Sequence, residues 1–275
     1  MLRRCVFFVV VRCFIGGEVF TFWVLNWSLG CGIMKASDEI TEVKNMIYAM
    51  SDLHGCYNLY VKMLEKINFS DEDTLYLLGD YVDRGDNGFD IILDIARRKN
   101  VVALMGNHDF YALSVLSAMC LNPDAKSDPR VRSKYETWIY NGGRTTYEQF
   151  WTFNQMKQVH ILSTMDGFKN YADITVGGRR FTMVHGGIAG YDPNRPLDDY
   201  GIGELAFGRE DYGQPKFNEE GRFLVTGHTP TALIDHNFRG KIFHGYDHIG
   251  LDCGAVFGLG LGCLCLDTLE EFYVI

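Results

Sequence analysis

The chain has 275 residues, and its 26 Lys and Arg side chains against 35 Asp and Glu give a net charge of −9. This charge argues against proteins that bind nucleic acids or anionic membranes, because those partners attract basic surfaces. With 47% hydrophobic and 22% charged residues, the composition also excludes a disordered tail, a collagen-like fibre and a polytopic membrane protein. The length suffices for one large domain or two small ones.

The N-terminal segment contains two apolar runs, residues 5–11 and 19–33, which Arg12 and Glu18 separate. Three interpretations stay open: a start upstream of the natural one, an N-terminal anchor, or a structured extension. The interrupting charges argue against an anchor, which needs about 20 unbroken apolar residues. The polar residues after Met34 lead into a clean strand pattern. We predict an apolar extension over residues 1–33, with Met34 as the natural start, and a main domain over residues 34–275.

The first part of the main domain alternates between short apolar runs and amphipathic segments. Near-continuous apolar runs predict buried strands at residues 46–50, 75–78 and 101–105, and helical spacing predicts helices at 57–67 and 89–95. Strands that alternate with helices in this way predict a parallel sheet. Because the carboxyl ends of adjacent parallel strands lie at one edge, we expect Asp52, Asp80 and Asn107 to share a crevice.

The second part begins with residues 113–153, which we predict to be mostly helical, with breaks at 122–123 and 141–143. Strands are predicted after it, at residues 171–176, 180–184, 222–225, 241–243, 249–251, 261–266 and 271–275. We expect these strands to form a second sheet. His185 and His228 end two of the runs, so polar groups again follow strand ends.

Five short blocks combine oxygen and imidazole ligands with flanking glycines, which allow sharp turns of the backbone. They are Ser51-Asp52-Leu53-His54-Gly55, Gly79-Asp80-Tyr81-Val82-Asp83-Arg84-Gly85, Gly106-Asn107-His108-Asp109, Val184-His185-Gly186-Gly187 and Gly227-His228-Thr229-Pro230. Taken singly, these blocks could be capped turns, loops or structural histidines. Together their Asp, Asn and His side chains suit a pair of first-row metal ions better than a structural zinc. We therefore predict a dinuclear metal centre.

In this order and spacing, the five blocks resemble the metallophosphoesterases, and specifically the bacterial and phage branch of the phosphoprotein phosphatases that act on serine and threonine. The resemblance extends from Ile47 to Ile275 and includes the connector at residues 138–146 and the turn at residues 251–258. It implies an α/β fold in which two β-sheets pack as a sandwich flanked by helices, in α/β/β/α order.

The resemblance also implies the metal ligands. Asp52 and His54 correspond to ligands of the first ion and Asp80 to the bridging ligand. The second ion has three corresponding ligands: Asn107, His185 and His228. In such centres two divalent ions share a hydroxide that attacks phosphorus. We expect Mn²⁺, with iron or zinc as alternatives.

The remaining roles follow from the same resemblance. His108 corresponds to the general acid that protonates the leaving group, and Asp83 to the carboxylate that orients it. Arg84 is expected to bind the phosphate through two hydrogen bonds. Arg209 is the candidate for the second phosphate-binding arginine, although Phe207 stands where the family has tryptophan. The alternative for Arg209 is a surface arginine paired with Glu210 or Asp211.

The predicted function is hydrolysis of phosphomonoesters, above all phosphoserine or phosphothreonine in a protein or peptide. A diadenosine tetraphosphate hydrolase is the alternative, because that family shares the metal blocks. A metal-containing binding protein without turnover is a third hypothesis, and the presence of both His108 and Asp83 counts against it. The eight scattered cysteines favour reduced thiols in the cytoplasm. We predict no nucleic-acid partner and no membrane association, and the sequence leaves the oligomeric state open.

Overall fold

The computed structural model describes residues 9–15, 18–24 and 45–275. The chain divides into two compact units, Met1–Val43 and Lys44–Ile275. In the first unit, strand β1 (Val9–Ile15) pairs antiparallel with β2 (Glu18–Val24). The proposed natural start, Met34, lies outside the described residues. The predicted boundary between residues 33 and 34 therefore stays a prediction.

The second unit contains ten strands and eight α-helices among its described residues. The strands are β3 (Ile47–Met50), β4 (Thr74–Leu77), β5 (Val101–Ala103), β6 (Tyr171–Val176), β7 (Arg179–Val184), β8 (Arg222–Thr226), β9 (Phe243–Gly245), β10 (His248–Gly250), β11 (Leu261–Cys265) and β12 (Glu271–Val274). The helices are α1 (Tyr57–Lys66), α2 (Gly88–Arg97), α3 (Asn107–Leu121), α4 (Pro129–Trp138), α5 (Arg144–Phe150), α6 (Gln155–Asp166), α7 (Ile202–Leu205) and α8 (Thr231–Ile234). A π-helical turn, Ile139–Gly143, joins α4 to α5.

The strands form two five-stranded sheets, with orders β12-β11-β3-β4-β5 and β6-β7-β8-β10-β9. The neighbours β3, β4 and β5 are parallel, as are β7 and β8. This confirms the predicted two-sheet α/β fold and the parallel character of the first strands. One expectation was wrong: the last two strands do not join the second sheet. Strand β11 instead pairs antiparallel with β3, where Leu264 lies opposite Ala49, and β12 pairs with β11.

Alternation along each strand sends side chains to opposite faces of the sheet, so that each face contributes to a different core. In β3, Tyr48 and Met50 pack in the larger core with residues of α1, α2 and α3, whereas Ala49 packs with Met183 and Val225 of the second sheet. The layers are therefore helices, sheet and sheet, with the second core between the sheets. Among the described residues, no helix has both the length and the apolar character needed to cross a membrane.

The helical region also differs from its predicted bounds in one important place. Helix α3 begins at Asn107, six positions before the helical pattern predicted from residue 113. The Asp109 carboxylate accepts a hydrogen bond from the Gly106 backbone N–H at 3.1 Å and so caps the first turn. The polar Gly-Asn-His-Asp block therefore forms the N-terminus of a helix.

Candidate metal and phosphate site

The five predicted blocks lie together at the carboxyl ends of parallel strands from both sheets. Asp52 follows β3, Asp80 follows β4 and Asn107 follows β5, while His185 and His228 follow β7 and β8. Backbone hydrogen bonds tie the first two blocks to each other, since the His54 N–H donates to the Asp80 carbonyl at 2.8 Å. The expected convergence of Asp52, Asp80 and Asn107 is thus confirmed, and the second sheet adds the two histidines.

Asp80 lies at the centre of the cluster. Its Oδ2 is 3.5 Å from Nε2 of His54 and 3.3 Å from Nε2 of His185. Its side chain takes part in two groups whose ligand atoms lie within 4.8 Å of one another, one with His54 and His108 and the other with His185 and His228. A carboxylate shared by two groups of imidazoles has the position of a bridging ligand.

Asn107 and Asp52 complete the set of predicted ligands. The Asn107 Oδ1 lies 3.1 Å from Nε2 of His185 and 2.9 Å from Nδ1 of His228. Asp52 is outside both three-residue groups, but its Oδ2 accepts hydrogen bonds from the Ser51 hydroxyl at 2.5 Å and the His228 N–H at 2.9 Å. Its carboxylate is thereby joined to the backbone of the His228 block.

Backbone carbonyls determine which nitrogen two of the histidines present to Asp80. Nδ1 of His54 donates to the Val82 carbonyl at 2.8 Å, and Nδ1 of His185 donates to the Leu78 carbonyl at 2.6 Å. Each ring therefore turns Nε2 toward Asp80, which is the arrangement that orients metal-binding histidines.

The protonation of the ligands also suits a cation. Burial lowers the pKa of His54 and of His228 to about 3, so both imidazoles are neutral at pH 7 and can bind metal. Burial opposes ionisation of Asp80 and His185, but the attraction between them outweighs it: the pKa of Asp80 is lowered and that of His185 is raised to about 10. Metal binding would displace the His185 proton.

Several residues of the site have positive φ angles, which residues other than glycine rarely adopt. Among the described residues, ten non-glycine residues have positive φ, and six of them are in the site: Asp52, His54, Asp80, Asp83, Arg84 and His228. Such conformations persist only where surrounding structure holds them, and they concentrate at functional sites. The clustering is independent evidence that these blocks are a functional site.

His108 and Asp83 form a buried hydrogen-bonded pair beside the metal ligands. The His108 Nδ1 lies 2.7 Å from Oδ2 of Asp83, and the two side chains are 5% and 0% exposed. Burial lowers the pKa of His108, but the Asp80 charge and the hydrogen bond to Asp83 outweigh burial and leave the pKa raised. The protonated, donating form of His108 is therefore favoured.

The Arg84 guanidinium contacts two histidines of the site, His54 and His108. Its Nη1 donates to Nε2 of His54 at 2.5 Å, and its Nη2 lies 3.0 Å from Nε2 of His108. Arg209 lines the same cavity of about 380 Å³, and its Nη1 donates to the Thr229 hydroxyl at 3.3 Å.

Of the two carboxylates predicted as alternative partners of Arg209, Glu210 does not form this pair. Glu210 instead pairs with Lys216 at 2.7 Å. The two arginines of the cavity are thus available to an anion.

A larger cavity of about 570 Å³ is lined by other residues, among them Arg180, Arg195 and Arg222. Each of these arginines pairs with a carboxylate: Arg180 with Asp173, Arg195 with Glu204 and Arg222 with Glu219. Their charge is locally compensated, which favours the smaller cavity as the site for a phosphorylated ligand.

Sequence reasoning missed one residue that organises the site. The buried Asp109 carboxylate accepts hydrogen bonds from the backbone N–H groups of Asp80 at 2.7 Å, Tyr81 at 3.0 Å and Gly106 at 3.1 Å. It therefore holds the Asp80 turn against the start of α3. The spacing of a helix-capping residue, three positions after Gly106, was the signal that could have identified it.

Comparison with known proteins agrees with this geometry. The model of the calcineurin-like phosphoesterase family matches residues 46–254. The symmetrical bis(5'-nucleosyl)-tetraphosphatases of Salmonella typhimurium and Salmonella typhi are 38% identical to the chain over 77 residues, which is 27% of this chain and 27% of theirs. The chain therefore matches only about a quarter of the length of these curated relatives.

Solved structures share the fold at low sequence identity. A candidate diadenosine tetraphosphatase superposes with a TM-score of 0.56 at 19% identity, over 85% of this chain and 94% of that one. A mutant cold-active protein tyrosine phosphatase superposes with a TM-score of 0.50 at 18% identity, over 93% of this chain and 89% of that one.

Proposed function

Because the chain belongs to the calcineurin-like phosphoesterase family, we propose that this metal-dependent hydrolase acts in the cytoplasm and removes phosphate from phosphoserine or phosphothreonine in a protein or peptide. The proposal rests above all on the buried His108–Asp83 pair beside Arg84.

The donor set of the site suits two divalent ions. We propose that Asp52 and His54 hold one ion, that Asp80 contacts both, and that the second is held by Asn107, His185 and His228. The mixture of carboxylate, amide and neutral imidazole ligands is typical of Mn²⁺, with iron or zinc as alternatives. When bound, such ions activate water as the nucleophile and offset the charge on phosphoryl oxygens.

The arginines bind and orient the phosphate. Arg84 offers a planar guanidinium at the cavity, which can donate two parallel hydrogen bonds to phosphate oxygens. Arg209, on the same cavity, supplies a second positive charge. Since the net charge of the chain is −9, these local cations are needed to attract an anionic substrate.

His108 holds the proton that the leaving group requires. Its Nδ1 is engaged by Asp83, so the proton to be donated is on Nε2, beside the Arg84 guanidinium at 3.0 Å. A serine or threonine alkoxide is a poor leaving group and benefits strongly from protonation. A nucleotide phosphate leaves readily without it. The pair therefore supports a phosphomonoester with an alkoxide leaving group.

Hydrolysis of dinucleoside polyphosphates is the second candidate. It is supported by the local 38% identity to the symmetrical bis(5'-nucleosyl)-tetraphosphatases. The same ligands and arginines could serve that reaction, so the two candidates differ in substrate and not in the metal centre.

The test is a direct comparison of substrates. Metal-stripped full-length protein is given Mn²⁺ and then a phosphothreonine peptide or diadenosine tetraphosphate, with release of phosphate and of nucleotides measured separately. We expect faster, metal-dependent release of phosphate from the peptide. Faster cleavage of the dinucleotide would favour the second candidate, and no turnover of either despite two bound ions would favour a binding protein.

A further inference from the structure

Trp138, the last residue of α4, makes a hydrogen bond to the carboxylate that orients His108. The Trp138 Nε1–H donates to Oδ2 of Asp83 at 2.7 Å, and this same oxygen lies 2.7 Å from Nδ1 of His108. The side chains of Trp138 and Asp83 are both fully buried.

The connector at residues 138–146, which runs from the end of α4 into α5, also binds the backbone N–H groups of Asp83 and Arg84. The Asp83 N–H donates to the Thr146 hydroxyl at 2.9 Å, and the Arg84 N–H donates to the Gly142 carbonyl at 3.1 Å. A Cβ on Gly143 would overlap the Trp138 indole. The connector therefore packs directly against the turn that bears the predicted acid pair.

The hydrogen bonds on Asp83 are distributed unequally between its two oxygens. Oδ2 accepts hydrogen bonds from Nε1 of Trp138 and Nδ1 of His108, whereas Oδ1 is buried without a hydrogen-bond partner. A buried carboxylate with a single donor could rotate and present either oxygen, and the imidazole would lose its fixed orientation. The indole N–H removes this freedom, because it binds Oδ2 from a second direction.

We propose that Trp138 is a positioning residue for proton donation: it fixes the Asp83 carboxylate, and Asp83 in turn aims His108 at the leaving group. This inference rests on the proposed function. Its chemical consequence is specific, because loss of proton donation slows poor leaving groups far more than good ones.

The experiment measures Trp138→Phe, which keeps an aromatic ring but has no N–H, on two substrates with Mn²⁺ present. For a phosphothreonine peptide, whose leaving group is an alkoxide, we expect kcat to fall roughly 10-fold or more. For p-nitrophenyl phosphate, whose leaving group needs little protonation, we expect a change of less than about 2-fold. A fraction of unfolded protein would lower both rates equally and leave their ratio unchanged.

The matched control is Trp151→Phe, because Trp151 follows α5 and is 40% exposed. Both rates of this variant should stay at the wild-type level. In Asp83→Asn, adding Trp138→Phe should cause little further loss, since both substitutions act on one unit. If Trp138→Phe does not fold, benzothienylalanine at position 138 keeps the bicyclic ring and replaces the N–H with sulfur.

Equal losses on the two substrates, or no loss on the peptide, would overturn the inference while leaving the proposed function intact. Wild-type protein that hydrolyses neither monoester would overturn the proposed function instead. In that case the indole ¹H–¹⁵N signal that is absent from Trp138→Phe decides the inference. It should move upfield in Asp83→Asn, and an unmoved signal would contradict the hydrogen bond on which the inference depends.

Discussion

Replacing Asp109 with asparagine tests whether this buried carboxylate holds the Asp80 turn in place. In the wild-type protein, Oδ2 accepts the N–H groups of Asp80 and Gly106, and Oδ1 accepts that of Tyr81. Asparagine has nearly the same shape but only one oxygen acceptor. Its amide NH₂ must therefore face at least one backbone N–H.

The backbone N–H groups that lose an acceptor determine how far the free energy of unfolding falls. If the asparagine oxygen occupies the Oδ2 position, the Tyr81 N–H and the more distant Val82 N–H, 3.4 Å from Oδ1, lose their acceptor inside a fully buried site. A buried donor without a partner costs about 1–3 kcal/mol. Removing the Asp109 charge also relieves its repulsion with Asp80, so we expect the free energy of unfolding to fall by about 2 kcal/mol.

Urea unfolding followed by circular dichroism measures this change, and the apparent affinity for Mn²⁺ measures displacement of Asp80. The control is Asp166→Asn, since Asp166 is exposed at the end of α6. We expect weaker Mn²⁺ binding only in Asp109→Asn. A change in unfolding free energy within about 0.5 kcal/mol of the control, with unaltered Mn²⁺ affinity, would refute the reasoning.

Three further predictions concern the acid, the phosphate and the pH dependence. His108→Asn should retain both metals by elemental analysis and lose kcat on phosphothreonine peptide by roughly 10²- to 10⁴-fold; metal loss or unchanged turnover would contradict the acid role. Arg84→Ala should weaken inhibition by inorganic phosphate roughly 10-fold or more at unchanged metal content, and normal inhibition would count against phosphate binding. Burial raises the pKa of Asp173, but the hydrogen bonds that it accepts from Arg180 and Thr182 outweigh burial, so the pKa is lowered. The ionised Asp173 carboxylate therefore stabilises the fold above about pH 4, and this stabilisation is lost as the pH falls through the folded-state pKa. Asp173→Asn should therefore lose less stability than wild type on acidification, by about 0.5 kcal/mol for so exposed a pair; identical acid unfolding curves would exclude the contribution.

The sequence predicted the fold well where one local pattern determines the structure. Continuous apolar runs with polar residues at their ends indicated the parallel strands, and the ends of these strands indicated where Asp52 and Asp80 would meet. The start of α3 was missed because Asn107 and His108 lack an apolar helical pattern. The first turn of α3 consists of capping and site residues, and its apolar helical pattern begins only after them.

Contacts between distant segments could not be predicted in the same way. The pairing of β11 with β3 joins Leu264 to Ala49, and no local pattern distinguishes a strand of one sheet from a strand of the other. The hydrogen bond from Trp138 to Asp83 spans 55 positions. Residue types alone indicate that a buried indole needs an acceptor, but they do not indicate which carboxylate supplies it.

The return of β11 to the first sheet has a consequence for the order in which the protein is made and folded. Strand β3 is made about two hundred residues before its antiparallel neighbour β11, and most of the other described elements are made between them. Pairings across such long separations form late because the entropy of closing the loop must first be overcome. Until then β3 has an unpaired edge, and the turn bearing Asp52 lacks the support of a complete sheet. We therefore expect a nascent chain to gain Mn²⁺ affinity only after β11 has been made, as a single event.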